Sequence, residues 1–577
     1  MISTVSFIEL NQIIDAVHGD PHNILGMHEI EVGGKAALAV RALIPQAKRI
    51  IVLDPADQTY QCELEKIHID GFFESVLPDR TKWFRYKYQI EGYEDNVWET
   101  YDPYSFVPQL SDLDMHLFGE GTHYEIYNKL GAHLKTLDGI DGVSFAVWAP
   151  SAVRVSVIGE FNNWDGRRGQ MRKLAQSGIW EIFIPGLSAG DPYKFEIRTF
   201  EGAFIQKSDP YGFFAELRPS TTSLVYDIDQ YQWKDQKWMK SRAAKQPLDG
   251  PINIYELHPG SWRFGAGEER LLNYIDLADV LIPYIKKMGY THIELMPVTE
   301  HPFDGSWGYQ PTGFFAPTSR YGAPEDFMAF VDCCHQNNIG VLLDFAASRF
   351  PKDAHGLAKF DGTPLYEPQD PRRAEHAEWG ALIFDYGRKQ VKNFLIASAL
   401  FWIEKYHIDG LRLEALSSML YLDYGKAEGQ WVPNQYGGVE NLDAVEFIKH
   451  MNSIVAAREP NVLMIAEESS AWEGVTRPVK EDGLGFSLKW NKSFINDFLA
   501  YVKQDPIYRQ YHHNNLTFGL VYAYTEKYVL MLSHDELVRG KQSMLDKMPG
   551  DIWEKCANLR VAYAFLYGHP GKKLMFM

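Results

Sequence analysis

From about residue 252 onward, short apolar runs alternate with longer stretches of helical periodicity, and this alternation restricts the fold more than any other feature of the chain. The runs 252–256, 292–296, 340–344, 410–413, 462–466, 486–489, 528–532 and 572–576 read as strands, eight in all. Strands separated by helices pair in parallel, because a tight hairpin cannot connect them. Eight such units over roughly 325 residues suit a (β/α)8 TIM barrel with insertions, which places its chemistry at the C-terminal ends of the strands. A doubly wound sheet is the alternative, but no Gly-rich phosphate-binding turn follows the first strand.

The first ~230 residues have a different texture, as their extended runs are short and alternate in polarity. Val143-Ser144-Phe145-Ala146-Val147-Trp148 and Val153-Arg154-Val155-Ser156-Val157-Ile158 are examples, with Gly, Pro, Asn and Asp between such runs. An earlier block of the same kind covers 37–43, 49–53 and 86–90. The reading is two β-sandwiches in tandem, 1–112 and 113–230, followed by the barrel over 231–577.

A formal net charge of -19 argues against nucleic acid, whose binding depends on clustered Lys and Arg. The four cysteines show neither a disulfide framework nor metal-ligand spacing, so neither disulfides nor a structural zinc site is expected, and no other metal-ligand spacing stands out. The start of the chain lacks a basic and an apolar leader region, and no run reaches the ~18 apolar residues of a membrane span. A cytoplasmic protein with no membrane partner is expected. The 15 tryptophans offer flat faces that suit sugar rings, although most aromatic side chains in any protein fill cores.

Two carboxylates stand at predicted strand ends, Glu414 after Gly410-Leu411-Arg412-Leu413 and Glu467 after Ile465-Ala466. A third end carries Ser533-His534-Asp535-Glu536. Retaining glycoside chemistry needs a carboxylate nucleophile and a protonated carboxyl on opposite faces of a sugar, and Glu414 with Glu467 fits that demand. Either Glu alone reads better as a solvated or ion-paired side chain; their joint placement beside Arg412 and Asp535 favours a site. Arg412 lies two residues before Glu414, so in extended chain the two share a face and the cation keeps the carboxylate ionised. Asp535 has a competing reading as a helix cap. Asp344 at the end of the third run, and Trp307 and Tyr309 in Gly305-Ser306-Trp307-Gly308-Tyr309-Gln310-Pro311, are candidates for lining a sugar subsite, against a turn-stabilising Asp and packed rings.

These segments, in this order, resemble the bacterial glycogen branching enzymes of the α-amylase superfamily along essentially the whole chain. The resemblance rests on Tyr255-Glu256-Leu257-His258-Pro259-Gly260-Ser261-Trp262-Arg263, Trp307-Gly308-Tyr309-Gln310-Pro311-Thr312-Gly313, Trp431-Val432-Pro433-Asn434, Tyr508-Arg509-Gln510-Tyr511-His512-His513 and Ser533-His534-Asp535-Glu536. His18-Gly19-Asp20-Pro21 with Leu25-Gly26-Met27-His28, and Gly159-Glu160-Phe161-Asn162-Asn163-Trp164, are similar to the family's first sandwich and to its glycogen-associated second one. The resemblance implies cutting of an α-1,4 bond in glycogen or amylose, a covalent glucosyl-enzyme, and transfer to a glucose 6-hydroxyl, without a cofactor. It implies that Glu467 is the acid/base, Asp535 the transition-state stabiliser, Arg412 the partner of the nucleophile, and Trp307, Tyr309, Asp344 and His534 substrate-binding residues.

The nucleophile position falls on Glu414, where the family pattern is Arg-x-Asp. Two family histidines are replaced by Arg349 and Arg539. The chain stops within the eighth predicted strand, at Leu574-Met575-Phe576-Met577, without a last helix or the family's C-terminal sandwich. The expectation is a monomeric branching enzyme of impaired turnover, with oligomers if the barrel exposes apolar surface. A non-catalytic glucan-binding paralogue is the alternative, and a hydrolase of the same superfamily the third reading.

Overall fold

The structure, a computed structural model, describes residues 3–77, 80–94, 96–265, 271–376, 379–538 and 540–577. Arg539, one of the replaced histidine positions, lies outside them. The chain divides into two compact units, one holding the residues up to Asp227 with Gly313–Ala316 and Lys352–Glu367, the other holding the rest.

In the first unit, seven antiparallel strands between Gly26 and Tyr101 form one continuous path rather than two separate sheets. The twelve-residue strand Asp57–His68 causes this, pairing with Ala47–Asp54 through one part of its length and with Phe72–Leu77 through the other. Both halves pack on a single core of Leu38, Val40, Ile50, Val52, Phe73 and Ile90, so the expected sandwich is a sheet folded over on itself. The second sandwich has separate layers, a five-stranded and a four-stranded sheet. Phe145 on Ile140–Trp148 meets Tyr193 on Pro192–Arg198 edge to face at 5.0 Å, which joins the two layers.

The second unit contains the closed eight-stranded parallel barrel. Its strands are β1 (Asn253–Leu257), β2 (His292–Leu295), β3 (Gly340–Phe345), β4 (Gly410–Leu413), β5 (Leu463–Ala466), β6 (Leu488–Trp490), β7 (Tyr528–Leu532) and β8 (Lys572–Phe576). Pairing of Tyr255 on β1 with Met575 on β8 closes the ring. Buried on both faces, β3, β4 and β5 have no solvent-facing side to alternate with, so they are apolar apart from Asp344 and Arg412. The helix Tyr274–Met288 shows how the outer layer forms: Asn273 caps its start, and Gly289 takes the left-handed φ of 78° that ends it. Between these caps, Tyr274, Leu277, Ala278, Leu281, Ile282 and Ile285 make the buried stripe. Among the described residues no helix is long and apolar enough to cross a membrane.

Candidate active site

Arg412 organises the C-terminal mouth of the barrel. It points inward from β4 with no exposed surface, and burying a guanidinium demands partners for its donors. Nε donates to Asp344 Oδ1 at 2.7 Å, Nη1 to Glu467 Oε2 at 2.6 Å and Nη2 to the Tyr309 hydroxyl at 2.8 Å. Asp344 Oδ2 also pairs with Nη2 and accepts from the Tyr309 hydroxyl at 2.5 Å. The guanidinium lies over Trp490, 4.2 Å from the ring centroid. Five residues from five parts of the chain are thereby held in one place.

Glu414 faces elsewhere. Its carboxylate accepts from Ser348 Oγ at 3.0 Å and pairs with Arg349, whose guanidinium sits 3.9 Å above the Trp379 ring centroid. The expected pairing with Arg412 presumes extended chain, but β4 ends at Leu413 and Ala415 turns left-handed at φ 51°, so the same-face geometry stops one residue short. Burial raises the Glu414 carboxyl above its usual range, with Arg349 opposing.

Glu467 follows β5 and is held from both sides. Arg412 occupies Oε2, and Lys492, the first residue of the helix Lys492–Val502 after β6, places Nζ 2.5 Å from Oε1. The same ammonium lies 2.9 Å from Asp535 Oδ2. Burial pushes the Glu467 carboxyl up, but Lys492 and Arg412 outweigh it and the net direction is down. Asp535 is likewise drawn down to about 2, burial being overcome by Lys492 and His534. Asp535 is not the helix cap: Ser533 caps His534–Leu537, with Glu536 completing the capping box.

His534 Nδ1 lies 2.5 Å from Glu256 Oε1, and the His534 backbone N–H donates to Glu256 Oε2 at 2.9 Å. Burial disfavours the imidazolium, but Glu256 prevails and raises it to about 9. The His534 ring stacks on Tyr309 at 5.7 Å, and Trp307 meets it edge-on at 6.2 Å. Trp307, Tyr309, Trp379, Glu414, Glu467 and Asp535 all line one cavity of about 280 Å³. Arg412 and Asp344 lie beside it, tied to its wall through Tyr309 and Glu467. The eight residues singled out in the sequence are thus gathered at one barrel mouth.

Glu256, Glu294 and Asp344 bring one carboxylate oxygen each within 4.8 Å of one another, a spacing that would admit a cation. Side chains already supply the positive charge there: His534 faces Glu256, and Arg412 lies against Asp344 and, at 3.0 Å, Glu294. Burial and the neighbouring Asp344 push the Glu294 carboxyl well above its usual range, toward the neutral acid. Sequence reasoning missed Lys492, Ser348, Trp379 and Glu256. Applying the strand-end rule to β6, as to β4 and β5, finds Lys492 two residues beyond the strand.

Three family models match successive parts of the chain: the N-terminal domain of the alpha-1,4-glucan branching enzyme GlgB at residues 7–104, carbohydrate-binding module 48 (isoamylase N-terminal domain) at 129–212, and the alpha amylase catalytic domain at 278–354. The 1,4-alpha-glucan branching enzyme GlgB of Thermosynechococcus vestitus is 52% identical over 598 residues, spanning 100% of this chain and 77% of its relative. The chain belongs to the GlgB family of 1,4-alpha-glucan branching enzymes. The GlgB protein of Rhodospirillum rubrum is also 52% identical, over 568 residues that span 98% of this chain and 76% of that protein. Solved structures support the fold at longer range. A pullulanase from Bacillus acidopullulyticus matches with a TM-score of 0.60 at 15% identity, covering 96% of this chain and 79% of its own. A putative alpha amylase from Salmonella typhimurium matches at 0.57 and 20% identity, covering 78% and 72% respectively. The order of GlgB-type, carbohydrate-binding and amylase-type segments agrees with the sandwiches and barrel described above.

Proposed function

We propose that this chain acts on α-1,4-glucan as a branching enzyme of impaired turnover. In the family reaction a carboxylate attacks the anomeric carbon while a carboxylic acid protonates the departing 4-oxygen, and a glucose 6-hydroxyl then displaces the enzyme. Glu414 stands at the nucleophile position, Glu467 at the acid/base position and Asp535 at the stabilising position. Trp307, Tyr309, Asp344, Arg412 and His534 shape the sugar subsite. The glucan-binding assignment extends to the second sandwich, with domain boundaries near residues 112 and 230, and the protein is a cytoplasmic monomer.

One observation carries the impairment: Glu414 is held by Arg349 and Ser348, while the donors of Arg412 go to Asp344, Tyr309 and Glu467. The extra methylene of Glu over Asp moves the carboxylate by ~1.5 Å, and a displacement of about 1 Å costs on the order of 10²-fold in rate. The electrostatics point the same way. A nucleophile must be ionised and an acid protonated, yet burial raises Glu414 while Lys492 and Arg412 lower Glu467.

The test is formation of α-1,6 linkages on amylose by the chain as it stands and by Glu414→Asp, both checked for folding. A gain in the variant supports the reading; full activity of the chain as it stands refutes the impairment. The second reading, a glucan-binding protein without turnover, is favoured by the two cations Arg349 and Lys492 seated on the carboxylates. It predicts retention on immobilised glycogen and no product from either form.

A further inference from the structure

We infer that Lys492 is an electrostatic lock on the acid/base position: its ammonium, seated between Glu467 and Asp535, keeps Glu467 a carboxylate and withholds the proton that the departing glucan oxygen needs. The inference rests on the functional reading above, and adds a second cause of impairment that is independent of residue 414.

Both oxygens of Glu467 already accept charged donors, Oε1 from Lys492 Nζ at 2.5 Å and Oε2 from Arg412 Nη1 at 2.6 Å. A carboxylic acid carries hydrogen on one of these oxygens and loses the negative charge that both cations face. Protonating Glu467 therefore forfeits its ion pairs, and becomes easier when a cation leaves. Arg412 is fixed by Asp344, Tyr309 and the Trp490 face, so Lys492 is the movable partner. Its side chain keeps 23% of its surface in water, against none for Arg412.

Lys492 also stands in the first turn of its helix, where the dipole disfavours a cation, so the two carboxylates hold it there against the helix. The other charged groups facing this cluster are His534, 3.5 Å from Asp535 Oδ1, Lys541, whose Nζ lies against the Asp535 backbone carbonyl oxygen, and two carboxylates, Glu536 beside Lys492 and Asp535 and Glu414 beside Glu467. Glu536 is committed to its own cap, accepting from the Ser533 hydroxyl at 2.7 Å and the Ser533 backbone N–H at 3.1 Å, and Glu414 is committed to Arg349 and Ser348, so Lys492 stays on Glu467 and Asp535. The raised affinity of Lys492 for its proton, produced by Glu467 and Asp535 against the effect of burial, agrees with this arrangement.

Substrates separate acid failure from nucleophile failure. In amylose the C1–O4 bond breaks and the oxygen takes a proton from Glu467; in a maltooligosyl fluoride the C1–F bond breaks and fluoride departs as an anion without one. The comparison uses Glu414→Asp and the double variant Glu414→Asp/Lys492→Met. Equal rates on the fluoride, with the double variant faster on amylose by on the order of 10²-fold or more, are expected. Equal rates on both substrates overturn the lock.

If neither variant consumes the fluoride, the reading of residue 414 has failed and a second measurement decides the lock in the chain as it stands. Pulsed acylation with acetic anhydride, read by peptide mass spectrometry, reports how firmly the Lys492 amine holds its proton. Glu467→Gln is expected to speed acylation of Lys492 by about tenfold or more. An unchanged rate overturns the lock.

Discussion

His335 is expected to make the stability of this protein fall above neutral pH, and its surroundings set the size of the effect. The ring is fully buried, with Nδ1 2.8 Å from Asp235 Oδ2 and Nε2 2.9 Å from Asp409 Oδ2, so both nitrogens face carboxylates and both carry hydrogen. Asp235 also faces His407 Nδ1 at 2.8 Å, while Asp409 accepts from Trp238 at 2.8 Å, Arg242 at 3.1 Å and the Val341 backbone N–H at 2.8 Å. Burial disfavours the imidazolium, but Asp409 and Asp235 prevail and raise it from 6.5 to about 8. At 1.36 kcal/mol per unit, that difference is worth about 2 kcal/mol. Because the folded value is the higher one, this stability is fully present below about pH 6.5 and lost as pH rises through about 8. The cluster lies under the starts of β3 and β4, whose far ends carry Asp344, Arg412 and Glu414.

Urea unfolding at pH 6 and pH 9, comparing the protein with His335→Gln, reads this contribution as a difference of differences. The advantage of the natural residue is expected to shrink by about 2 kcal/mol between the two pH values. An advantage that stays constant across the range refutes the assignment of an imidazolium to His335.

Two other substitutions probe buried charge. Arg349→Met strands Glu414 and is expected to cost about 3 to 5 kcal/mol in urea unfolding, whereas Arg349→Met/Glu414→Met lies close to the parent, since removing both ions also removes their desolvation penalty. Lys207 donates to the backbone carbonyls of Ala354, Gly356 and Ala358 at 2.7, 3.1 and 2.7 Å. Lys207→Met leaves those acceptors unpaired, at a cost of about 1 to 3 kcal/mol; limited proteolysis is expected to open the 352–367 segment first.

All eight barrel strands were legible because a parallel strand covered on both faces is predominantly apolar, with its few polar residues, such as Glu256, Glu294 and Arg412, buried inside the barrel, and the ends erred by at most two residues, at β6. Phe486 and Ser487 continue the pattern of β6 there without joining its pairing with β7, which begins at Lys489. The folded-over first sheet was not legible: nothing in the composition of Asp57–His68 announces that it serves two neighbours along its length. The carboxylates of the site were visible from their places at strand ends. Their partners were not, because alternation predicts which way a side chain points only while the strand lasts, and Glu414 stands just beyond it. Lys492 meets Glu467 across 25 positions of sequence, a pairing that no local pattern encodes.

The cations at the barrel mouth bear on what the cleft can sense. Glu414, Glu467, Asp344 and Asp535 each already lie against Arg349, Arg412 or Lys492, and His534 adds its charge beside Asp535. Like a capacitor whose plates have been bridged, the mouth keeps its charged groups but has them facing one another, so fewer of them are free to answer a charge that develops partway through a reaction. The faces of Trp307 and Trp379 remain, and on the proposed function they would leave the cleft to tell a glucan apart by its shape more than by the polarity of its breaking bond.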